Sequence, residues 1–164
     1  MLEEFIEKIK ESKQNQNSVS KEQQKTQTFL TFSINEKIFA IPSFKIKEIL
    51  KDSEVYPVPF VPPYIKGILN RYGDPYVVID FASLLNLPEQ KSSLFIVIND
   101  DSNSCLKVTD VKEFHSAKTS DLVPFSENDD NSFFEGTLLI NGQEVFVINS
   151  EALLKKTGDD FESF

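Results

Sequence analysis

The hydrophobic pattern changes character along the chain. Over residues 1–11, Leu2, Phe5, Ile6 and Ile9 fall at i, i+3, i+4 and i+7, the single stripe of a short amphipathic helix. Such a stripe suits a fraying terminus, a helix docked on its own domain, or a tether for a partner. Residues 12–27, SKQNQNSVSKEQQKTQ, carry one aliphatic side chain and cannot bury a core. Residues 1–27 therefore read as a helix and flexible linker, dispensable for folding.

From Thr28 onward short β-like runs take over. TFLTFSI (28–34) and IFAI (38–41) flank the turn NEK. PSFKIKEIL (42–50) opens on Pro42 and Ser43 and spaces Phe44, Ile46, Ile49 and Leu50 for one short helix. SEVYPVP (53–59) is a strand candidate confined to an edge by its prolines, followed by YIKGILN (64–70) and PYVVID (75–80). FASLLNL (81–87) predicts a helical turn that closes before Pro88. SLFIVIN (93–99), SCLKVTD (104–110), VKEFHS (111–116), EGTLLI (135–140) and EVFVIN (144–149) form a second set of strands, with NDDSN and Asn141-Gly142 as hairpin turns. A terminal helix is predicted over 150–156, capped by Ser150 with Gly158 past its end, and the tail 159–164 reads as loose.

Many short strands with single helical turns predict a mainly β protein of small barrels or a sandwich. The halves also resemble each other. YVVIDFASLL (76–85) aligns with VFVINSEALL (145–154), pairing Val78 with Val147, Ile79 with Ile148 and Asp80 with Asn149. The expected organisation is one domain over 28–158, with lobes of roughly 28–90 and 91–150.

Composition narrows the function. A net charge of −9 with scattered lysines offers no basic stripe for a phosphate backbone, so nucleic acid is not an expected partner. No apolar run approaches the roughly 20 residues of a membrane span, and the acidic N-terminus lacks the basic flank of a signal peptide. A cytoplasmic protein without direct membrane insertion is expected. One cysteine excludes an internal disulfide. His115 is the only histidine, so paired-imidazole metal sites are excluded, and it reads as a solvent-facing strand residue. Cys105 lies among strand residues Leu106 and Val108 and reads as a small buried side chain. The acidic runs NDDSN and SENDDN (126–131) lack the glycine and distal glutamate of a calcium loop. Gly67 and Gly73 enclose no Gly-Lys-Ser/Thr phosphate cradle. No catalytic constellation, metal site or cofactor site is expected, and the chain reads as a binding module.

Residues 28–154 resemble the CheW-like coupling domain of bacterial chemotaxis. The resemblance is carried by FLTFSINEKIFAIP, by Ile46-Lys47-Glu48-Ile49 for the family's V-x-E-I, and by VPFVPPYIKGILNRYG for the Pro-rich stretch that leads into G-x-x-N-x-x-G. Ile79-Asp80, Val108-Thr109-Asp110-Val111 and EGTLLINGQEVFVINSEALL complete it. It implies two five-stranded β-barrels packed around a shared core. It also implies a non-enzymatic scaffold joining chemoreceptor cytoplasmic tips to the regulatory domain of the histidine kinase CheA. Partner-binding positions carried over are Ile46, Glu48, Ile49, Gly67, Asn70, Arg71 and Tyr72. For Ile46 and Ile49 a core-facing role on a short helix stands beside the contact role.

The departures concern the receptor side. The family's Asn-Leu-Arg-Gly is here Asn70-Arg71-Tyr72-Gly73, so Tyr72 occupies the position of a receptor-proximal arginine. In a strand, a shift of one residue turns a side chain to the other face, so Arg71 is not expected to substitute. Cys105, Lys107 and Thr109 also depart from the family's preferences. A divergent paralogue that pairs with a kinase regulatory domain but binds receptors differently is the alternative. A small β-barrel enzyme or ligand carrier would need a pocket with convergent polar groups, which the sequence does not supply.

Overall fold

The computed structural model describes residues 2–8, 25–91, 94–126 and 133–163. The predicted linker from 12 to 24, Ile9 of the N-terminal stripe and residues 127–131 of the second acidic run lie outside the described residues. Residues 2–8 form helix α1, whose side chains are all exposed. Eleven strands follow among the described residues: β1 (Thr26–Ile34), β2 (Lys37–Pro42), β3 (Ile46–Lys51), β4 (Ile65–Arg71), β5 (Asp74–Asp80), β6 (Leu94–Ile98), β7 (Ser104–Val108), β8 (Asp110–Lys118), β9 (Val123–Pro124), β10 (Phe134–Ile140) and β11 (Gln143–Ile148). Helix α2 (Phe81–Leu84) follows β5, and α3 (Ser150–Ser163) follows β11.

The strands form a six-stranded sheet, β8-β1-β2-β11-β10-β9, and a five-stranded sheet, β3-β6-β7-β5-β4. Each sheet curls around its own apolar cluster. One holds Phe29, Ala40, Leu138 and Val147, the other Phe95, Cys105, Leu69 and Val78. A third and larger cluster, with Phe32, Phe39, Ile79, Phe81, Ile96 and Leu153, fills the space between the sheets. Alternation explains the arrangement. Successive residues of β1 and β6 point to opposite faces, so each strand feeds its lobe's interior and the shared core in turn.

The repeat seen in the sequence extends to hydrogen-bond register. In both lobes the strand before a helix pairs antiparallel with its predecessor and parallel with a partner, β5 with β4 and β7, β11 with β10 and β2. Bulges interrupt Ile65/Gly67 and Phe134/Gly136 at equivalent places. Backbone N–H groups of Asp80 and Asn149 donate to the carbonyls of Tyr64 and Phe133. The side chains of Asp80 and Asn149 then accept from Ala82 N and Ala152 N to start the two helices. Gly67 and Gly136 are equivalent for a steric reason, since a Cβ would lie 2.1 Å from the Tyr56 carbonyl oxygen at the first and 2.3 Å from that of Val123 at the second. Each glycine lets a proline-containing segment, Tyr56-Pro57 or Val123-Pro124, cross tightly over its lobe.

Four expectations change. Residues 46–51 are a strand rather than part of a helix, because five pairings to β6 outweigh a weak helical spacing; only Ser43–Lys45 form a 3-10 turn. The predicted edge strand 53–59 reduces to one bridge, Tyr56 to Ile68, because its prolines remove ladder donors. The lobes do not divide at residue 90: one comprises β3 to β7, and the other joins β1 and β2 to β8 through β11. Finally, α3 runs through Gly158 to Ser163, held by Tyr64, whose hydroxyl donates to Asp160, and by a Lys156–Asp160 ion pair.

Candidate functional site

Of the residues singled out in the sequence, the structure brings Glu48 and Arg71 together across the five-stranded lobe. Its outer strands, β3 and β4, are tied by side chains. Arg71 donates from Nε and Nη2 to the two carboxylate oxygens of Glu48, both at 3.0 Å. The two groups are half-buried, and this bidentate geometry holds the Arg71 guanidinium above its ordinary pKa, chiefly through the hydrogen bonds to Glu48. Beside it, Lys47 Nζ donates to the Tyr76 hydroxyl at 3.2 Å, which raises the lysine's pKa. The equivalent place in the other lobe holds a weaker tie, Asn141 Nδ2 to Glu113 Oε1 at 3.2 Å.

Tyr72 and Gly73 are the two turn residues between β4 and β5, with φ of 53° and 88°. Positive φ at both central positions is the two-residue hairpin geometry that suits a right-twisted ladder. Asn70 Oδ1 accepts from Gly73 N at 2.8 Å and closes the turn. Tyr72 is 86% exposed, and the Arg71 guanidinium carbon stands 4.1 Å from its ring centroid. Position 72 thus belongs to a turn, where strand alternation does not apply. Arg71 is held by Glu48 and at the same time lies over Tyr72.

The seven carried-over positions separate by burial. Ile49, Asn70 and Tyr72 are exposed, while Glu48 and Arg71 form the half-buried pair. Ile46 is half-buried and packs against the shared core. Gly67 is buried beneath Tyr56 and Pro57 and shapes the surface from below. Phe44, read in the sequence as part of a helix's apolar spacing, is exposed, and Phe60, which the sequence reading passed over, is 90% exposed at a positive φ of 59°. The run Val58-Pro59-Phe60, apolar without alternation, was the available signal.

Burial pushes the Cys105 thiol up to about 12, and no cluster of three or more potential metal ligands occurs among the described residues. Buried Asp80 is occupied structurally. It accepts from Gln90 Nε2 at 2.7 Å and faces Lys66 Nζ at 3.7 Å. Gln90 also donates to the Lys107 carbonyl and accepts from Thr109 Oγ1. Among the described residues no helix is long and apolar enough to cross a membrane.

Comparison with known proteins agrees with this architecture. The crystal structure of the scaffolding protein TtCheW from Thermoanaerobacter tengcongensis shares the fold, with a TM-score of 0.69 and 23% identity over 75% of this chain and 88% of that one. The chemotaxis protein CheW of Helicobacter pylori is 26% identical over 161 residues, covering 94% of this chain and 96% of that protein. The chemotaxis protein CheW of Bacillus subtilis is 42% identical over 60 residues, 37% of this chain and 38% of that protein. The family model described as the CheW-like domain matches residues 28–158, both lobes and the shared core between them. The chain belongs to the CheW-like domain family.

Proposed function

We propose that this chain is a non-enzymatic scaffold of chemotaxis signalling that couples the cytoplasmic tips of chemoreceptors to the regulatory domain of the histidine kinase CheA. The observation that carries the reading is the family match across the whole two-lobed domain. The site geometry supports it: Glu48 within β3 and Arg71 at the end of β4 tie the two strands together, and Ile49, Asn70 and Tyr72 stand exposed beside that tie. A rigid rim presenting apolar and polar groups to solvent suits a helical partner. The chain works in the cytoplasm, where both partners expose the relevant domains.

Tyr72 supports a second reading, a paralogue that keeps kinase pairing with altered receptor binding. It replaces an arginine of the family pattern with a ring that cannot offer a charged fork. Calorimetric titration with the CheA regulatory domain, followed by titration of receptor-tip fragments into the complex, tests both. A micromolar or tighter complex, about −8 kcal/mol, is expected at the first step. No complex at high concentration refutes the coupling reading. Kinase binding without any receptor binding selects the paralogue.

A further inference from the structure

The outer face of β9, β10 and β11 carries apolar side chains that stand exposed among the described residues, on either side of the buried Thr137. Val123 is 63% and Leu139 72% exposed. Val123 pairs with Thr137 and Thr137 with Phe146, so Val123 and Phe146 lie in one row across three strands, with Leu139 two residues along β10. Phe125 stacks on Phe146 with ring centroids 5.8 Å apart. The strip continues into a groove of about 450 Å³ lined by Phe39, Leu85, Leu87 and Phe134.

Helix α1 is a second exposed apolar element among the described residues. Leu2, Phe5 and Ile6 are all exposed on it. A helix this short is marginal in water by itself, so a surface that covers those three side chains would stabilise it. We propose that α1 is a tethered cap that docks its Leu2/Phe5/Ile6 face on the Val123–Leu139–Phe146 strip of its own chain.

Reach and size support this occupant. The connection from α1 to β1 comprises residues 9–24, which span at most about 55 Å extended. It joins the domain at Lys25 and Thr26, and Thr26 lines the same surface depression as Leu139. The strip is about 10 Å wide, two inter-strand spacings, and a helix of this length covers about that distance. A short tether places the helix at an effective concentration of about a millimolar, so even a weak contact is populated. A partner using this strip would have to displace the helix. The inference is independent of which partners the proposed function assigns.

Paramagnetic broadening tests it in the full chain. Buried Cys105 leaves a cysteine introduced by Glu4→Cys as the accessible thiol for a nitroxide. The methyl signals of Leu139 and Val123 are expected to lose most of their intensity, while Leu69 in the other lobe keeps its own. Adding Phe5→Asp, a change on the exposed helix that leaves the domain core untouched, is expected to restore them. Full intensity at Leu139 and Val123 in the labelled chain overturns the proposal. So does broadening that appears only when spin-labelled chains are mixed with separate isotope-labelled chains, which would make a second copy the occupant.

Discussion

Replacing Gly67 by alanine attacks the crossing that shapes the rim of the five-stranded lobe. A Cβ there would stand 2.1 Å from the Tyr56 carbonyl oxygen and 2.9 Å from Pro57 Cα, both backbone atoms that cannot rotate away. Relief requires separating Tyr56 from Ile68, which breaks hydrogen bonds of 2.7 and 2.9 Å between their backbones. Two such bonds are worth about 1–3 kcal/mol together. The φ of +140° adds a further cost of about 1–3 kcal/mol for any residue with a side chain. Gly67→Ala should therefore destabilise by about 2–6 kcal/mol in urea unfolding followed by circular dichroism. Gly136→Ala is the internal comparison. It meets the same kind of obstacle, 2.3 Å from the Val123 carbonyl, without the left-handed φ, so about 1–3 kcal/mol is expected. Equal effects at the two glycines would refute the backbone-strain part of this reasoning. A loss below about 0.5 kcal/mol at both would refute the crossing itself.

Other substitutions address the turn, the buried network and a half-buried acid. Tyr72→Asn should raise stability by a few tenths to about 1 kcal/mol in the same assay, since asparagine tolerates positive φ and Asn141-Gly142 already fills the equivalent turn; it should weaken binding of receptor tips by removing the exposed ring. Gln90→Ala removes bonds of 2.7, 2.9 and 2.8 Å to Asp80, Lys107 and Thr109 and should cost about 2–3 kcal/mol, seen as a lower thermal midpoint. Burial raises the pKa of Glu135, so the folded chain holds that proton to a higher pH than the unfolded chain does. Stability should consequently fall as pH rises from the ordinary carboxylate range through the raised value, and Glu135→Gln should remove that slope and stabilise the protein at neutral pH. An unchanged pH profile in the variant would refute the burial argument.

The local pattern carried most of the strands, because alternation and turn residues act within a few positions of each other. The likeness of 76–85 to 145–154 held at the level of register, since β5 and β11 occupy matching places between an antiparallel and a parallel neighbour. Residues 46–51 were misread because their spacing suits a helix in isolation, and only pairing with β6, nearly fifty residues away in sequence, decides for a strand. The division into lobes failed for the same reason: β1 and β2 join β11 and β8, which no local signal announces. Extension of α3 through Gly158 costs about 1 kcal/mol of helix propensity, offset by contacts to Tyr64 that sequence does not show. At the site, Asn70 and Tyr72 were legible as surface residues, while for Ile49 the sequence left core and surface roles side by side. The Glu48–Arg71 pair was not legible, because it joins the two outer strands of a sheet that first has to curl.

Reconstitution of receptor control over the kinase tests the coupling role most directly. Receptor-containing membranes, CheA and this protein would be combined, and kinase autophosphorylation measured with and without receptor ligand. The account predicts that kinase activity responds to the ligand only when this chain is present, and that the response weakens when Arg71→Ala releases Glu48 and the exposed rim around Tyr72. Ligand control that is the same with and without the chain, under conditions where a known coupling protein restores it, would contradict the account.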